Sequence, residues 1–401
     1  MAASSTHSVS PEKQLLVRCS RTRLDSQAGD EIRRLLFLPL DWDILRAEAA
    51  SNSVTPLLLR SISSVAPDTV PPEQLARLKN HVRAAAVRSL VLAAELIRIL
   101  SEFSAAGIET IPYKGPVLAA QAYGDIALRE FEDIDVVLRQ RDVAGANEVL
   151  VRLGFSPLFP PIFVPDDQSS LVPGEYNYRD RESHLTIELH TERTLRHFPL
   201  PPDLDDLARR LIPVSLSGHE IRTFCPEDTL VFLCVHGSKD FWERLVWVAD
   251  VAEIVASHPR LDWDRVCASA DEVRARRMLH LGLSLADQLF RVSLPDAIRA
   301  RVLADAVACE VALQIEQRLI ARSSPPLGAR GSFAYRRRMV PGVAAGWRYA
   351  VRLATAPAAD DWHSLRLPRS LAPLYVALRP FRLLRKYGAV DDPPAPPLSS
   401  S

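Results

Sequence analysis

Two acidic residues separated by one apolar residue, Asp133-Ile134-Asp135, open a short apolar segment that ends at Leu138. Because side chains alternate along a β-strand, a strand here places both carboxylates on one face and Ile134 on the other. Two neighbouring carboxylates cost desolvation and mutual repulsion unless a cation lies between them. Divalent cations such as Mg²⁺ prefer oxygen ligands, so the pattern predicts a metal-binding strand.

A turn that suits phosphate binding precedes this strand. Lys114-Gly115-Pro116 follows an apolar segment, residues 108–113, and leads into a predicted helix, residues 116–123. Proline fits the first helical position, and glycine lets the backbone approach a ligand closely. The free N–H groups of such a helix start attract anions. The sequence therefore predicts a phosphate cradle beside the metal site.

Two downstream segments add polar residues with regular spacing. Residues 184–190 (HLTIELH) alternate as a strand does, which puts Glu188 and His190 on one face. A helix is predicted to begin at Pro226 and to continue through residue 250. One face of that helix carries His236, Asp240, Glu243, Trp247 and Asp250.

These motifs, in this order, resemble the uncharacterised nucleotidyltransferases of the NTP_transf_5 type, within the polymerase-β-like nucleotidyltransferase superfamily. The resemblance extends from about Asp41 to Arg291. The wider superfamily has Gly-Ser or Gly-Gly at the turn and a shorter gap before the acids, so the likeness is to the narrower branch. The residues and segments that carry it are Lys114-Gly115, Tyr123, Arg129, Asp133-x-Asp135, residues 187–190 and residues 233–255.

The resemblance implies a two-metal site and a nucleoside triphosphate substrate. Asp133 and Asp135 would hold both Mg²⁺ ions, while Glu188 would hold the catalytic one and help to deprotonate the nucleophile. The residues that would bind the nucleotide are Lys114, Gly115, Arg129 and Lys239. His190 and His236 would stand next to the metal ligands or the substrate.

Several of these residues have a simpler interpretation that the sequence leaves open. Arg129 would bind phosphate or would only pair with Asp133. His190 would contact metal-bound water or make a structural hydrogen bond. Lys114 and Lys239 would contact phosphate or lie on the solvated surface.

Charge and cysteine content set broad limits on the class of protein. The 49 basic residues balance the 49 acidic ones, which predicts no general attraction to nucleic acid or to an anionic membrane. Five scattered cysteines, without zinc-site spacing, indicate reduced thiols in a cytoplasmic protein. We see no signal peptide and no apolar run long enough to span a bilayer. P-loop and G-x-S-x-G motifs are also missing from the sequence.

Periodicity predicts a mainly helical α+β protein with a small mixed sheet and helical regions before and after it. The resemblance implies that this sheet belongs to a polymerase-β-like core. The predicted divisions are a disordered N-terminus (1–28), an N-terminal helical region (29–106) that frames the cleft, an α/β core (107–195), a C-terminal helical domain (196–325), a basic extension (326–390) and a disordered tail (391–401).

The predicted function is Mg²⁺-dependent transfer of a nucleotidyl group, AMP from ATP or another NMP, to a hydroxyl or phosphate of a small-molecule or peptide acceptor, with release of pyrophosphate. The alternative is a non-catalytic adaptor of the same fold in a natural-product or polysaccharide pathway. A nucleic-acid-tailing enzyme is a third hypothesis. Its only support is the group of C-terminal arginines, which would contact the phosphate backbone.

Overall fold

The computed structural model describes residues 10–158, 174–191, 197–321, 327–355 and 374–387. Helices dominate these ranges, and two small sheets accompany them. The helices are α1 (Pro11–Cys19), α2 (Ser26–Leu36), α3 (Trp42–Ser51), α4 (Thr55–Val65), α5 (Pro72–Ala105), α6 (Gly115–Leu118), α7 (Val143–Arg152), α8 (Leu204–Arg209), α9 (Pro226–Lys239), α10 (Leu245–Ser257), α11 (Trp263–Glu272), α12 (Arg276–Phe290), α13 (Asp296–Ala304), α14 (Ala306–Ile320), α15 (Ala329–Arg338), α16 (Val343–Thr355) and α17 (Leu374–Tyr387). The strands are β1 (Thr110–Pro112), β2 (Asp133–Leu138), β3 (Phe155–Pro157), β4 (Glu175–Asp180), β5 (Thr186–His190), β6 (Ile212–Leu216) and β7 (His219–Thr223).

The main sheet has five strands in the order β1-β2-β5-β4-β3. The central pair, β2 and β5, is parallel, whereas the other three pairs are antiparallel. Phe155 begins the edge strand β3, which pairs only with β4 in this sheet. The fold class is confirmed as a mainly helical α+β protein with a small mixed sheet.

One face of the sheet packs against helices α5 and α7. Ile134, Val136 and Leu138 of β2 lie in one hydrophobic cluster with Ile187 and Leu189 of β5. The same cluster contains Leu96, Ile99 and Phe103 of α5 and Val149 and Leu150 of α7. The predicted alternation along both strands is therefore correct, and their polar side chains occupy the opposite face.

A second, larger hydrophobic cluster joins the helices from both ends of the chain. It includes Leu58 of α4, Leu230 of α9, Leu283 of α12 and Tyr349 of α16, together with Val137 from the polar face of the sheet. The N-terminal and C-terminal helical regions thus share one core. The six boundaries drawn from the sequence stay a prediction.

The prediction of disorder over residues 1–28 is wrong for the part that the structure describes. Helix α1 buries Leu15, Leu16 and Cys19 almost completely. Its one arginine contacts a distant part of the chain, because Arg18 donates a hydrogen bond to the carbonyl oxygen of Leu289 at the end of α12. The apolar triplet at residues 15–17 is too short to stand out as a helical period, so its burial depends on tertiary contacts.

The single helix predicted from Pro226 through residue 250 is in fact two helices, α9 and α10. Phe241 and Trp242 interrupt it, because both adopt left-handed backbone conformations with φ of 57° and 53°. Trp242 is 1% exposed, and its backbone N–H donates a 2.8 Å hydrogen bond to the carbonyl oxygen of Gly237. Burial of this ring stabilises a turn that the helical period does not reveal.

Smaller differences concern the α/β core. Asp142 precedes α7 but makes no side-chain capping hydrogen bond, because a 3₁₀ turn, Gln140–Asp142, leads into the helix. Strand β4 follows residues 159–173, which lie outside the described ranges. The tail 391–401 also lies outside them. Across the described residues, no helix is long and apolar enough to cross a bilayer.

Candidate functional site

The turn between β1 and α6 requires glycine at position 115. Gly115 has φ of 51°, and a Cβ atom there would lie 3.1 Å from the backbone oxygen of Asp133. A side chain would therefore strain the backbone and press on strand β2. The turn holds Lys114 beside the start of β2, as the sequence predicts. Whether its backbone binds phosphate stays a prediction.

The two parallel strands bring the acidic residues together. In their register Asp135 is paired with Glu188, and Val137 with His190. Ligand atoms of Asp135, Glu188 and His190 all lie within 4.8 Å of one another. Asp133, two residues earlier on the same face of β2, lines the same cavity but lies outside this group of three. The structure thus adds His190 to the predicted acidic group.

Two cationic side chains touch the buried carboxylate of Asp135, which is 4% exposed. The Nζ atom of Lys114 lies 3.2 Å from its Oδ1 atom, and Nε2 of His190 lies 2.8 Å from the same oxygen. Nε2 of His190 is also 3.5 Å from Oε2 of Glu188. Lys114 and His190 therefore supply countercharge directly at the acids.

These contacts separate the pKa values of the two aspartates. Burial, and then repulsion from Asp135 and Glu188, raises the pKa of Asp133 to about 6. Burial would also raise the pKa of Asp135, but Lys114 and His190 outweigh it and hold that pKa below its usual range. Burial alone would lower the pKa of His190, yet its bonds to the two acids raise it to about 9. His190 is thus a cation at neutral pH.

A cavity of about 260 Å³ opens over these groups. Its described lining includes six acidic and four basic side chains, so negative charge is in excess. Ser53, from the N-terminal helical region, lines it as well. The predicted residues that line it are Lys114, Gly115, Arg129, Asp133, Asp135, Glu188, His236 and Lys239.

Arg129 lies in the cavity wall, but its guanidinium group is committed to Asp250. Nε and one terminal nitrogen of Arg129 lie 2.7 Å and 2.9 Å from the two carboxylate oxygens of Asp250. The Tyr123 hydroxyl donates to the same carboxylate at 2.7 Å. In this structure the acidic partner of Arg129 is therefore Asp250 and not Asp133, which was considered from the sequence. This pair fixes α10 to the segment before β2.

Residues of α9 and of the segment after it complete the wall of the cavity. His236 stacks edge-on against Trp247, with ring centroids 5.4 Å apart, and lies 3.4 Å from Asp240. Burial, together with Lys114 and Lys239, holds the pKa of His236 well below its usual value, so its imidazole is neutral. The Nε atom of Arg244 donates to the carbonyl oxygen of Ser51.

Sequence reasoning assigned no role to Glu130, Glu132, Asp240, Arg244 and Trp247, which also line the cavity. Asp250 was noticed only as part of a helix face. Its signal was a single acid in an otherwise apolar stretch, residues 245–252, since such an acid needs a buried partner.

The donor set is suited to a hard divalent cation. Asp135 and Glu188 present carboxylate oxygens that converge, and a third carboxylate, Asp133, follows on the same face. The surplus negative charge of the wall also favours a bound cation. His190 bonds to both acids, which raises its pKa, and its ring nitrogen is a third candidate ligand atom beside the two carboxylates.

A larger cavity, of about 730 Å³, runs along the outer edge of β1. Leu100, Ile108, Leu204 and Ile221 contribute apolar surface there. None of the nine predicted site residues lines this cavity. Volume alone is therefore a poor guide to the chemistry of this protein, and the smaller cavity over the acids is the candidate active site.

Comparisons with known proteins identify the family of this chain. A family model described as uncharacterised nucleotidyltransferase matches residues 39–291, which is more than half of the chain. Among solved structures, an antigenic nucleotidyltransferase-like protein from Paracoccidioides brasiliensis is similar, with 14% identity and a TM-score of 0.31. The alignment covers 52% of this chain and 95% of that one. No curated protein matches the sequence.

Proposed function

The chain belongs to the family of uncharacterised nucleotidyltransferases, and on that premise we propose that it transfers a nucleotidyl group from a nucleoside triphosphate, with Mg²⁺, to an acceptor. The observation that carries the proposal is the pairing of Asp135 with Glu188 on adjacent strands, under a cavity that Asp133 also lines. Three carboxylates so placed match what metal-assisted phosphoryl chemistry requires.

Asp135 and Glu188 would hold the metal ion, and Asp133 would join them from the same face of β2. When bound, Mg²⁺ neutralises phosphate charge and polarises the phosphoryl oxygens. Asp133, with a pKa near 6, is a carboxylate that can accept a proton from the acceptor hydroxyl at neutral pH. Glu188, which is 27% exposed, presents a second carboxylate from the adjacent strand.

Lys114 and Lys239 are the cations that would meet the triphosphate. Both side chains line the cavity, and Gly115 leaves the adjacent backbone open to approach. Lys114 already contacts Asp135, so it would exchange that carboxylate for phosphate when the nucleotide enters. Arg129 would act by positioning α10 and not by binding phosphate, since Asp250 occupies its guanidinium.

The proposed donor is ATP, and the proposed acceptor is a hydroxyl or phosphate of a small molecule, peptide or protein in the cytoplasm. The acceptor attacks the α-phosphorus in line, the bond to the β-phosphate breaks, and pyrophosphate leaves with that electron pair. The acceptor proton passes to a carboxylate of the cavity.

A non-catalytic adaptor is the second candidate, and one observation favours it. Oδ1 of Asp135 is already bound by both Lys114 and His190, so the protein satisfies its own acid without a metal ion. In an adaptor these contacts would persist, and neither Mg²⁺ nor ATP would bind tightly.

Calorimetry and product analysis separate the two candidates. The enzyme predicts Mg²⁺-dependent ATP binding and, with α-labelled ATP and cell extract, a labelled acceptor together with free pyrophosphate. D135N and E188Q should each lower this transfer at least ~100-fold, because even residues that only support metal ligands cost about 10–100-fold when removed.

The matched control is D30N, since Asp30 is 76% exposed on α2 and should leave transfer unchanged. Circular dichroism checks that each variant is folded. Wild-type protein that binds neither Mg²⁺ nor ATP would establish the adaptor, and full transfer by folded D135N would refute the site.

A further inference from the structure

The balanced total charge conceals a strongly basic segment at the C-terminal side. Residues 317–390 contain fourteen arginine and lysine residues but only two acidic residues, Asp360 and Asp361. The rest of the chain is therefore acidic by the same net amount. Such asymmetry indicates a local attraction to anions that the whole-chain sum does not register.

Residues 327–355 of this segment fold as a helical pair, α15 and α16. From residue 328 to residue 355 it contains six arginines and no acid. Arg330, Arg337 and Arg348 are exposed. This pair lies beyond residue 291, where the family match ends, so family membership assigns it no role.

One face of α16 is apolar and open to solvent. Val343, Trp347 and Val351, spaced four residues apart, are 78%, 45% and 45% exposed. The opposite face buries Tyr349 and Leu353 in the helical core. Helix α16 thus buries one face in the core and exposes a second apolar stripe, in which Trp347 contacts Phe333 and Arg337.

Helix α17, which contacts α16, also exposes apolar side chains. Its exposed apolar residues Leu374, Leu378 and Phe381 follow helical spacing and are 43%, 38% and 72% exposed. It packs against α16, and Arg379 and Arg382 lie on it as well. Six large apolar side chains and several arginines therefore occupy one region of the molecule.

The surface is fixed to the folded protein. A Cβ atom at Gly346 would lie 2.2 Å from the backbone oxygen of Arg337, which shows how closely α15 and α16 approach. Phe333 packs edge-on against Trp347 at 5.2 Å. The Tyr349 hydroxyl donates a 2.6 Å hydrogen bond to the carbonyl oxygen of His197. The apolar stripe is thus presented in a defined orientation.

We infer that α16 and α17 form a docking surface for an anionic lipid membrane, which they contact side-on without crossing it. Aliphatic and aromatic side chains enter the headgroup boundary, and neighbouring arginines pair with lipid phosphates. Charge complementarity selects an anionic bilayer. Nucleic acid fits less well, because only Trp347 and Phe381 of the six side chains are aromatic and could stack on bases, whereas the other four are aliphatic. A second copy of the chain fits less well too, since two such basic faces repel.

The inference replaces the sequence-based expectation that the protein has no membrane partner, and it does not depend on the proposed catalytic activity. That expectation was drawn from whole-chain charge. A docked membrane responds only to the charge within about one Debye length of its surface.

Vesicle flotation with the full-length protein tests the inference. Protein should float with phosphatidylcholine vesicles that contain about a third phosphatidylglycerol, but not with pure phosphatidylcholine, and salt should release it. V343S/V351S removes apolar contact and R330Q/R348Q removes charge. Each should lower the bound fraction about tenfold.

The long helix α5 provides matched controls. V87S/V91S changes two valines that are 57% and 47% exposed, and R83Q/R88Q changes two exposed arginines. Both control variants should float as the wild type does. Thermal unfolding verifies that all four variants are folded.

Three results would overturn the inference. Wild-type protein that does not float with anionic vesicles contradicts it directly. Equal losses in the α5 variants would mean that binding is non-specific. Tight binding to poly(U) without flotation, or a dimer in ultracentrifugation that V343S/V351S dissociates, would assign the surface to nucleic acid or to a second copy.

Discussion

The ion pair between Arg129 and Asp250 joins two parts of the chain 121 residues apart, and both partners are nearly inaccessible to water, with 8% and 1% of their side chains exposed. Charges at such positions are strongly desolvated, and only their mutual geometry compensates. The Tyr123 hydroxyl donates a further hydrogen bond to the Asp250 carboxylate. This pair therefore determines where α10 lies relative to the acids.

Removing the carboxylate alone should leave a buried, unpaired guanidinium. We expect D250A to lower the free energy of unfolding by about 3–5 kcal/mol, measured by urea titration. The control is D30A on the exposed pair with Arg33, which should change it by less than ~1 kcal/mol. A loss for D250A no larger than that of D30A would show that the pair does not stabilise the fold.

At the residue scale, alternation along the strands was sufficient to predict the acidic face. Period 2 is a local property, so Asp133, Asp135 and Glu188 could be assigned to one side of a sheet before any contact was known. The partner of Arg129 was not predictable in this way, because Asp250 becomes its neighbour only when α10 packs. His190 was expected near the acids, but its bond to Asp135 depends on the β2–β5 register.

At the scale of elements, the break between α9 and α10 shows where periodicity fails. The helical period runs unbroken through residues 240–244, yet the chain turns there to bury Trp242. The indole ring fits because position 237 has no side chain: a Cβ atom would lie 2.6 Å from three ring atoms. This close approach positions Lys239 and Asp240 at the cavity.

G237A should therefore displace Trp242 and the turn. We expect a loss of about 1–3 kcal/mol in the free energy of unfolding, as for other overpacked cores. Weaker ATP binding by calorimetry should accompany it, since Lys239 and Asp240 move.

G29A on α2 is the matched control, because its Cβ would meet nothing closer than 3.9 Å. It should be neutral or stabilising by up to ~1 kcal/mol. Equal stability of the two variants would contradict this account.

At the scale of the whole molecule, helix α1 connects the N-terminal helices to α12 and α14. Leu15 is fully buried in the shared core, so L15A should lower the free energy of unfolding by about 2–5 kcal/mol. L303A, at a leucine that is 66% exposed, should change it by less than ~0.5 kcal/mol. A small effect of L15A in denaturant titration would mean that α1 is dispensable.

Whole-chain sums were the weakest guide at this scale. The fold class followed from the helical and strand periods, because periodicity is a local property that each element shows by itself. The total net charge hides local charge, because the basic segment 317–390 cancels the acidity of the remainder. The prediction of disorder for residues 1–28 is wrong in its described part for a related reason. A short polar segment with three apolar residues resembles a disordered one, because the sequence does not show what those residues pack against.

The parallel register of β2 and β5 has a consequence for how such a chain can vary. Inserting one residue into β5 before Glu188 would rotate that carboxylate towards α5 and α7 and turn a leucine into the acid-lined cavity. Inserting two would restore the face but carry Glu188 roughly 6–7 Å past Asp135. Length changes are therefore tolerable in the loops before and after this strand, while within it even a single codon gained or lost dismantles the site.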